Sequence, residues 1–168
     1  MSDEPYSGLL GAFPYAFRSS ESRLFRLYAV VGGLLALAVA LLFGLALVAV
    51  LGQTATAEGG TFTFSRSLYV LVGLFAVAPL VAPVLFVARH HRRNGADRGF
   101  DARMATAGFL FVLALYLAAV VSTPAEQQQT TAGALAPVAD TLYALPRPLG
   151  PAIPAAVAVG MYLLARRG

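Results

Sequence analysis

Four long apolar segments, separated by polar stretches, dominate the hydrophobic pattern of the chain. A helix that crosses a bilayer needs about 20 mostly apolar residues, with a lower limit of about 17. The segments that satisfy this requirement are 27–51, 67–88, 104–123 and 149–165. The pattern predicts an all-α protein, a four-span transmembrane helical bundle, in which an N-terminal segment precedes a membrane domain of residues 27–168.

The N-terminal segment, residues 1–26, combines aromatic and aliphatic residues with arginines. Its apolar residues fall on one helical face, which Pro14 interrupts: Leu9, Leu10, Phe13 and Phe17. Aromatic residues beside arginines are typical of segments that lie at the membrane interface. We therefore predict an interfacial segment followed by an elbow, with Ser19 or Ser20 as the N-cap of the first span.

The composition supports a membrane protein. Hydrophobic residues make up 58% of the chain and charged residues 12%, whereas soluble domains carry roughly 25% charged residues. The chain has no cysteine, which excludes disulfides, thiolate nucleophiles, cysteine-bound zinc and iron–sulfur clusters. No other pattern predicts a cofactor, and no complete catalytic constellation is present.

The arginines are distributed unevenly between the two sides of the predicted bundle. If all four segments span, ten arginines fall on one side and only Arg66 and Arg147 on the other. Basic residues are retained on the cytoplasmic side of membranes. The distribution predicts a protein of the cell membrane with both termini in the cytoplasm.

Five of these arginines occupy the predicted connection between the second and third spans: Arg89, Arg92, Arg93, Arg98 and Arg103. We predict that they contact anionic lipid head groups or an acidic partner surface. The connection has no Gly-rich phosphate loop and no nucleic-acid recognition motif, so no nucleic-acid partner is expected. "NGADRG" supplies turn residues, and Asp97 and Asp101 are expected to pair locally with neighbouring arginines.

His90 and His91 precede this turn as adjacent residues. Neighbouring positions on a helix point about 100° apart, and the surrounding arginines repel a cation. Neither histidine has an Asp or Glu three or four residues later. The sequence therefore favours a solvated interfacial pair, and no metal site is predicted.

The four predicted spans contain no ionisable Asp, Glu, His, Lys or Arg in their cores. Such residues usually form the proton or ion path of pumps and coupled carriers, so those classes are disfavoured. The second span contains Pro79 and Pro83, which predict a helix kink. A kink of this kind serves either as a gate in transporters or as a static bend.

Small residues recur at every fourth position on one face of the first span: Gly32, Ala36, Ala40 and Gly44. Such stripes allow helix backbones to approach closely. We predict that the stripe packs within the bundle, against a second copy of the chain or against a larger membrane protein.

Two connections are predicted on the opposite side. "TFTFS" alternates like a strand, but it has no pairing partner and is expected to be part of a loop. The segment 132–145 is apolar enough to lie on the outer surface or to re-enter the membrane. Asp140 and Arg147 are candidates for a local ion pair.

Three stretches, taken in this order, carry a resemblance that covers the whole chain: "GAFPYAFRSSESRLFRLYAVVGGLLAL", "PLVAPVLFVARHHRR" and "YALPRPLG". In this layout the chain resembles small uncharacterised four-helix integral membrane proteins of haloarchaea. The resemblance implies the architecture and the source, and it implies no activity.

These patterns predict a non-enzymatic membrane protein, a structural or accessory subunit of a membrane complex. The alternative is a passive transport component, a pore or permease subunit that uses the two prolines of the second span. A third interpretation is a membrane-embedded enzyme that processes lipids. Its candidate residues cluster at the cytoplasmic interface: His90, His91, Asp97 and Asp101.

Overall fold

The structure is a computed structural model that describes residues 8–53, 60–128 and 136–167. These residues form six α-helices and one short 3₁₀ helix, Ala125–Gln127, and none of them forms a strand. The α-helices are α1 Gly8–Ser19, α2 Arg23–Gln53, α3 Gly60–Asn94, α4 Arg98–Val121, α5 Ala136–Ala144 and α6 Leu149–Arg167.

The four predicted spans are confirmed as helices α2, α3, α4 and α6. The mean hydropathy of their most apolar windows is 3.0, 2.7, 2.3 and 1.4, respectively, and each helix is long enough to cross a bilayer. The protein is therefore a multi-pass membrane protein. The start of α2, the end of α3, the start of α4 and the end of α6 lie together, and we call this the arginine-rich end of the bundle. The side of the membrane that it faces stays a prediction.

Two predicted connections are wrong because the helices extend into them. Helix α3 begins at Gly60, so the strand-like "TFTFS" is helical. A single strand would leave its backbone groups without partners, whereas a helix satisfies them within the segment. Helix α4 begins at Arg98, which shortens the arginine-bearing connection to residues 95–97.

That short connection uses the predicted turn residues. Gly95 adopts a φ of 84°, in the left-handed region that favours glycine. Asp97 then caps α4, because its Oδ1 accepts hydrogen bonds from the backbone N–H groups of Gly99 (2.8 Å) and Phe100 (3.1 Å). A left-handed glycine followed by an aspartate cap turns the chain back within three residues.

Helix α1 packs against α3 and α2 and is continuous through Pro14, so the predicted interruption is wrong. Ala12 and Ala16 are completely buried. Phe13 packs so closely on α2 that a Cβ at Gly33 would lie 2.9 Å from its ring. The predicted elbow is confirmed at residues 20–22, and it folds α1 back onto the bundle.

The core has Tyr28 of α2 near its centre. The Tyr28 ring lies against Gly108 of α4, where a Cβ would overlap it, and meets Phe109 edge-on at 5.2 Å between centroids. Its hydroxyl donates to the Leu80 carbonyl oxygen of α3 at 2.7 Å. One side chain therefore ties three spans together in the half of the bundle nearest the arginine-rich end.

Helix α6 packs along α4. At the start of α6, a Cβ on Gly150 would lie 3.1 Å from the Ala118 carbonyl oxygen and would overlap the Ser122 hydroxyl. Met161 is buried near the other end of the helix. Helix α5, which covers the described part of the predicted 132–145 segment, also packs against α4.

The ends of α2 and α3 that lie far from the arginine-rich end are poorly covered. No residue of α2 from 37 to 53 is buried, and Gly73 is the one buried residue of α3 between 64 and 79. Large apolar side chains such as Leu45 and Phe75, 68% and 69% exposed, lie on these ends. Helices α2 and α3 are therefore covered by protein only in the half nearest the arginine-rich end, and lipid or another protein must cover their other half.

Candidate functional site

Four side chains form a hydrogen-bond network at the arginine-rich end, which we call the elbow network: the half-buried Ser19 and the buried Ser20, His91 and Asp101. The Asp101 carboxylate accepts from the Ser20 hydroxyl at 2.5 Å and contacts His91 Nε2 at 2.8 Å. The other ring nitrogen, His91 Nδ1, lies 2.8 Å from the Ser19 hydroxyl. Asp101 is completely buried, and His91 is 7% exposed.

The network joins elements that are distant in the sequence. Ser19 ends α1, Ser20 lies in the elbow, His91 lies in the last turn of α3, and Asp101 lies in the first turn of α4. The Asp97 cap starts α4 at the register that points Asp101 inward. The two serines therefore fasten the N-terminal segment to the α3–α4 connection.

The chemistry of the network follows from its bonding. When Asp101 is ionised it only accepts, so the proton of the shared hydrogen bond lies on His91 Nε2. The imidazole is then neutral if Ser19 donates to Nδ1, or a cation if Nδ1 donates to Ser19. Among the described residues, no buried side-chain nitrogen or oxygen lacks a hydrogen-bond partner. The network is thus internally satisfied, which is what a buried carboxylate requires.

Two further contacts hold the elbow. Both Nε and Nη2 of Arg26 donate to the Ser20 carbonyl oxygen, at 3.0 and 2.7 Å. The Ser22 hydroxyl accepts from the backbone N–H of Phe25 at 3.3 Å, at the start of α2. The predicted cap, Ser19 or Ser20, is therefore wrong: Ser22 caps the span, and the two earlier serines bond into the network.

The predicted behaviour of the histidines and aspartates is also corrected. His91 is buried and pairs with Asp101, so neither residue is a solvated surface group. His90 stacks on Phe100 at 4.1 Å between ring centroids, and its Nδ1 contacts the Asn94 side chain at 3.1 Å. The two histidines have separate partners and do not converge on one point.

Asp97 is exposed and acts on its own helix. The hydrogen bonds from the backbone N–H groups of Phe100 and Gly99 lower the pKa of Asp97 below its ordinary value, and the positive charge of Arg103 adds to this effect. Its position at the start of α4 makes it a structural cap.

The structure divides the five predicted arginines into two groups. Arg89, Arg92 and Arg93 lie on α3 and line a cleft of about 480 Å³ together with Leu85. Arg98 and Arg103 lie on the first turns of α4, where Arg103 Nε donates to the Gly99 carbonyl oxygen at 3.2 Å.

The predicted small-residue stripe is split in a similar way. Gly32 and Ala36 are buried, and the Tyr28 ring packs against Gly32. Ala40 and Gly44 are exposed, and no atom lies within 4 Å of the position that a Cβ on Gly44 would take. Half of the stripe is used inside the bundle, and half is left open.

Pro79 and Pro83 lie inside α3, which is helical on both sides of them. The Tyr28 hydroxyl bonds to the carbonyl of Leu80, which lies between the two prolines. This bond ties the turn between the two prolines to the completely buried Tyr28 side chain of α2. The contact supports a static role for this segment.

Sequence reasoning missed the bonding of Ser19 and Ser20 to His91 and Asp101, and it missed the inward orientation of Asp101. A search for carboxylates three or four residues after each histidine does not find Asp101, which lies ten residues after His91. The sequence feature that could have revealed this pair is the turn between His91 and Asp101. A turn at 95–97 brings the last turn of one helix beside the first turn of the next, so residues at this separation become neighbours.

A family model for a domain of unknown function, DUF8056, matches residues 1–168, the whole length of the chain. The chain belongs to the DUF8056 family. No curated protein and no solved structure matches it. The family description assigns no chemistry to the elbow network or to the arginine cleft, so the function must be argued from the residues themselves.

Proposed function

We propose that this DUF8056 protein is a non-enzymatic structural or accessory subunit that packs laterally in the cell membrane, against a larger membrane protein or a second copy. The observation that carries the proposal is the uncovered half of α2. It is the most apolar helix of the bundle, yet 6% of its most apolar window is buried, against 33% in α3 and 39% in α4.

Ala40 and Gly44 make this face suitable for a helix as well as for lipid. They are one helical turn apart, and both are exposed. The absence of side-chain bulk lets a second helix approach closely, so that van der Waals contacts drive association where no hydrophobic effect exists. Helix α6 is also poorly covered, because only 11% of its most apolar window is buried. The outer surface of the bundle at α6 is therefore open as well.

The elbow network supports the same proposal from the other end of the molecule. Its members satisfy one another, and it joins four segments of the chain at one point. Such a network rigidifies a helix bundle. A rigid arginine-rich half and an uncovered apolar half are the properties expected of a subunit that docks through its lipid-facing surface.

The test uses two matched double variants expressed from the native locus. A40I/G44I adds bulk to the open face. A38I/A49I adds nearly the same bulk, six carbons against seven, to exposed alanines on the opposite side of α2. Each particle is extracted in a mild detergent, and its mass and composition are determined by native mass spectrometry.

We expect the wild type and A38I/A49I to retain a defined protein partner or a second copy, and A40I/G44I to lose it. A wild type that is monomeric under all mild extraction conditions contradicts the proposal. Equal loss in both variants shows that the added bulk acts on the fold and not on a docking face, and it also counts against the proposal.

A specific observation supports a second candidate, a membrane-embedded esterase that acts on lipids. Ser19, His91 and Asp101 form a continuous hydrogen-bonded chain with two links of 2.8 Å. This is the arrangement of a nucleophile, a general base and a residue that orients the base. In such a reaction the Ser19 oxygen attacks the ester carbonyl, and its proton passes to His91 Nδ1. That proton then goes to the departing alcohol, and water hydrolyses the acyl-serine.

The two candidates are separated by a fluorophosphonate probe, which labels activated serines. The esterase predicts labelling that is lost in S19A and retained in S20A, because Ser20 bonds to the carboxylate and not to the imidazole. Absence of labelling in the folded wild-type protein removes the second candidate and leaves the elbow network with its structural role.

A further inference from the structure

The arginine cleft lies where the apolar part of α3 ends. Leu85 belongs to the apolar sequence of the span, and Arg89 begins the basic sequence one turn later. Arg92 and Arg93 follow in the next turn, so the four lining residues extend over about two turns, or roughly 12 Å, of one helix face. The cleft therefore has an apolar end toward the membrane interior and a cationic end toward its surface.

The electrostatics of the cleft favour an anion. Within the described part of the chain, neither Arg89 nor Arg93 makes an ion pair, and the nearby carboxylate of Asp101 is already bonded to His91 and Ser20. Asp97 lies at the cap of α4, where Gly99 and Phe100 bond to it. The guanidinium groups of Arg89 and Arg93, which are four residues apart on the same helix face, repel each other, and a bound anion would offset that repulsion.

The shape of the cleft indicates which kind of anion fits it. A guanidinium fork pairs with phosphate oxygens through parallel hydrogen bonds. A soluble phosphate would use only the cationic end, whereas a phospholipid also places its acyl chains along the apolar residues below. A volume of about 480 Å³ lies in the range of clefts that bind small ligands, and it is large enough for a lipid head group.

We propose that the cleft formed by Leu85, Arg89, Arg92 and Arg93 is a binding site for the phosphate of an anionic phospholipid, whose acyl chains lie along α3. The site is distinct from the open face of α2 and does not depend on the proposed docking there. It uses the three arginines at the end of α3 and assigns no binding role to Arg98 or Arg103 at the start of α4.

The test measures lipid adducts on the detergent-purified full chain by native mass spectrometry. The probes are phosphatidylglycerol, phosphatidylcholine of the same acyl chains, and inorganic phosphate as a competitor. R89Q/R92Q/R93Q removes the three cleft charges. R98Q/R103Q/R167Q removes three charges from exposed positions at the same end of the bundle, and R89K/R92K/R93K keeps the charge without the planar fork.

We expect the wild type to retain phosphatidylglycerol in preference to phosphatidylcholine. Removal of the three cleft arginines should lower phosphatidylglycerol retention at least about tenfold, because each charge near an anionic lipid contributes about fivefold in affinity. The charge-matched control should change retention by less than about twofold. The lysine variant should fall between the wild type and the glutamine variant.

Three results would overturn the proposal. Equal losses in the cleft variant and the control would show a general effect of the basic surface. Equal retention of the two lipids would show that the charge of the head group is not recognised. Displacement of phosphatidylglycerol by millimolar inorganic phosphate would assign the cleft to a soluble phosphate compound. Identical gel-filtration profiles of all variants establish that each comparison is made on folded protein.

Discussion

Replacement of Gly108 by alanine tests the arrangement of the core most directly, because two opposite effects are expected from it. An alanine in a helix interior is about 1 kcal/mol more favourable than glycine. In this bundle, however, a Cβ on Gly108 would overlap the Tyr28 ring and would lie 2.8 Å from the Tyr28 hydroxyl oxygen. The packing term and the helix-propensity term therefore have opposite signs.

The structure indicates which term is larger. The ring has to move by about 1 Å to restore a normal contact of about 3.5–4.0 Å. It has no free direction in which to move, since Tyr28 is completely buried and its hydroxyl is bonded to Leu80. Overpacking of a core costs about 1–3 kcal/mol. With a packing cost near the upper value and a helix-propensity gain of about 1 kcal/mol, Gly108→Ala should lower the free energy of unfolding by about 2 kcal/mol.

For a chain of this size, a loss of that magnitude lowers the midpoint of thermal unfolding by about 4–8 °C. The assay is the fraction of protein that remains a monodisperse detergent particle in gel filtration after heating. Gly44→Ala and Gly160→Ala are the controls, because a Cβ at either position meets no atom within 4 Å. Both should be as stable as the wild type or slightly more stable.

Tyr28→Leu provides a check on the cause. In the Tyr28→Leu background the obstructing ring is absent, so Gly108→Ala should no longer destabilise the protein. This non-additivity is the signature of two residues in direct contact. The reasoning is refuted if Gly108→Ala survives heating as well as Gly44→Ala, or if its effect is unchanged in the Tyr28→Leu background.

Further predictions concern the polar groups at and near the arginine-rich end. Asp101→Ala should cost about 3–5 kcal/mol in the same heating assay, because it leaves two buried partners unsatisfied, whereas Asp101→Asn keeps the shape and an acceptor and should cost less. The lowered pKa of Asp97 means that its cap stabilises α4 at pH values above the ordinary aspartate pKa and loses this effect as the pH falls through the lowered value. The protection of the Phe100 amide against hydrogen exchange, measured relative to its intrinsic exchange rate at the same pH, should therefore fall in that acidic window, and Asp97→Asn should abolish this change in protection. Tyr28→Phe should cost about 1 kcal/mol, because it removes a donor to a carbonyl of α3 but keeps the ring, and a loss above about 3 kcal/mol would contradict this assignment.

The accuracy of the sequence predictions depended on how local each feature was. The turn at 95–97 was predicted from Gly95 and Asp97, since a left-handed glycine and a helix cap are set by a few neighbouring residues. The elbow was predicted from the polar residues around it. Its cap was assigned to the wrong serine because Ser19, Ser20 and Ser22 are equivalent by residue type, and only contacts across the bundle distinguish them.

The errors at helix ends have a common physical cause. The predicted spans ended where the apolar residues ended, but a helix can continue beyond the bilayer as long as its backbone is hydrogen-bonded within the segment. Helices α3 and α4 therefore extend through Arg89–Arg93 and Arg98–Arg103, which were predicted to be part of a loop. The extension of α3 places Arg89, Arg92 and Arg93 at helical spacing, and these three residues line the cleft.

The sequence by itself determined the class of the protein and the number of its spans, because the thickness of a bilayer sets the length of an apolar helix and composition shows that length directly. The tertiary structure decided which residues meet. Ser20 and Asp101 are 81 positions apart, and Ser19 and His91 are 72 apart. It also decided that Gly32 is buried while Gly44 is open, and that three of five arginines share one cleft. These outcomes depend on how each helix is rotated about its axis and on where its neighbours end. Both are set by the packing of the whole bundle, and no local stretch of sequence specifies them.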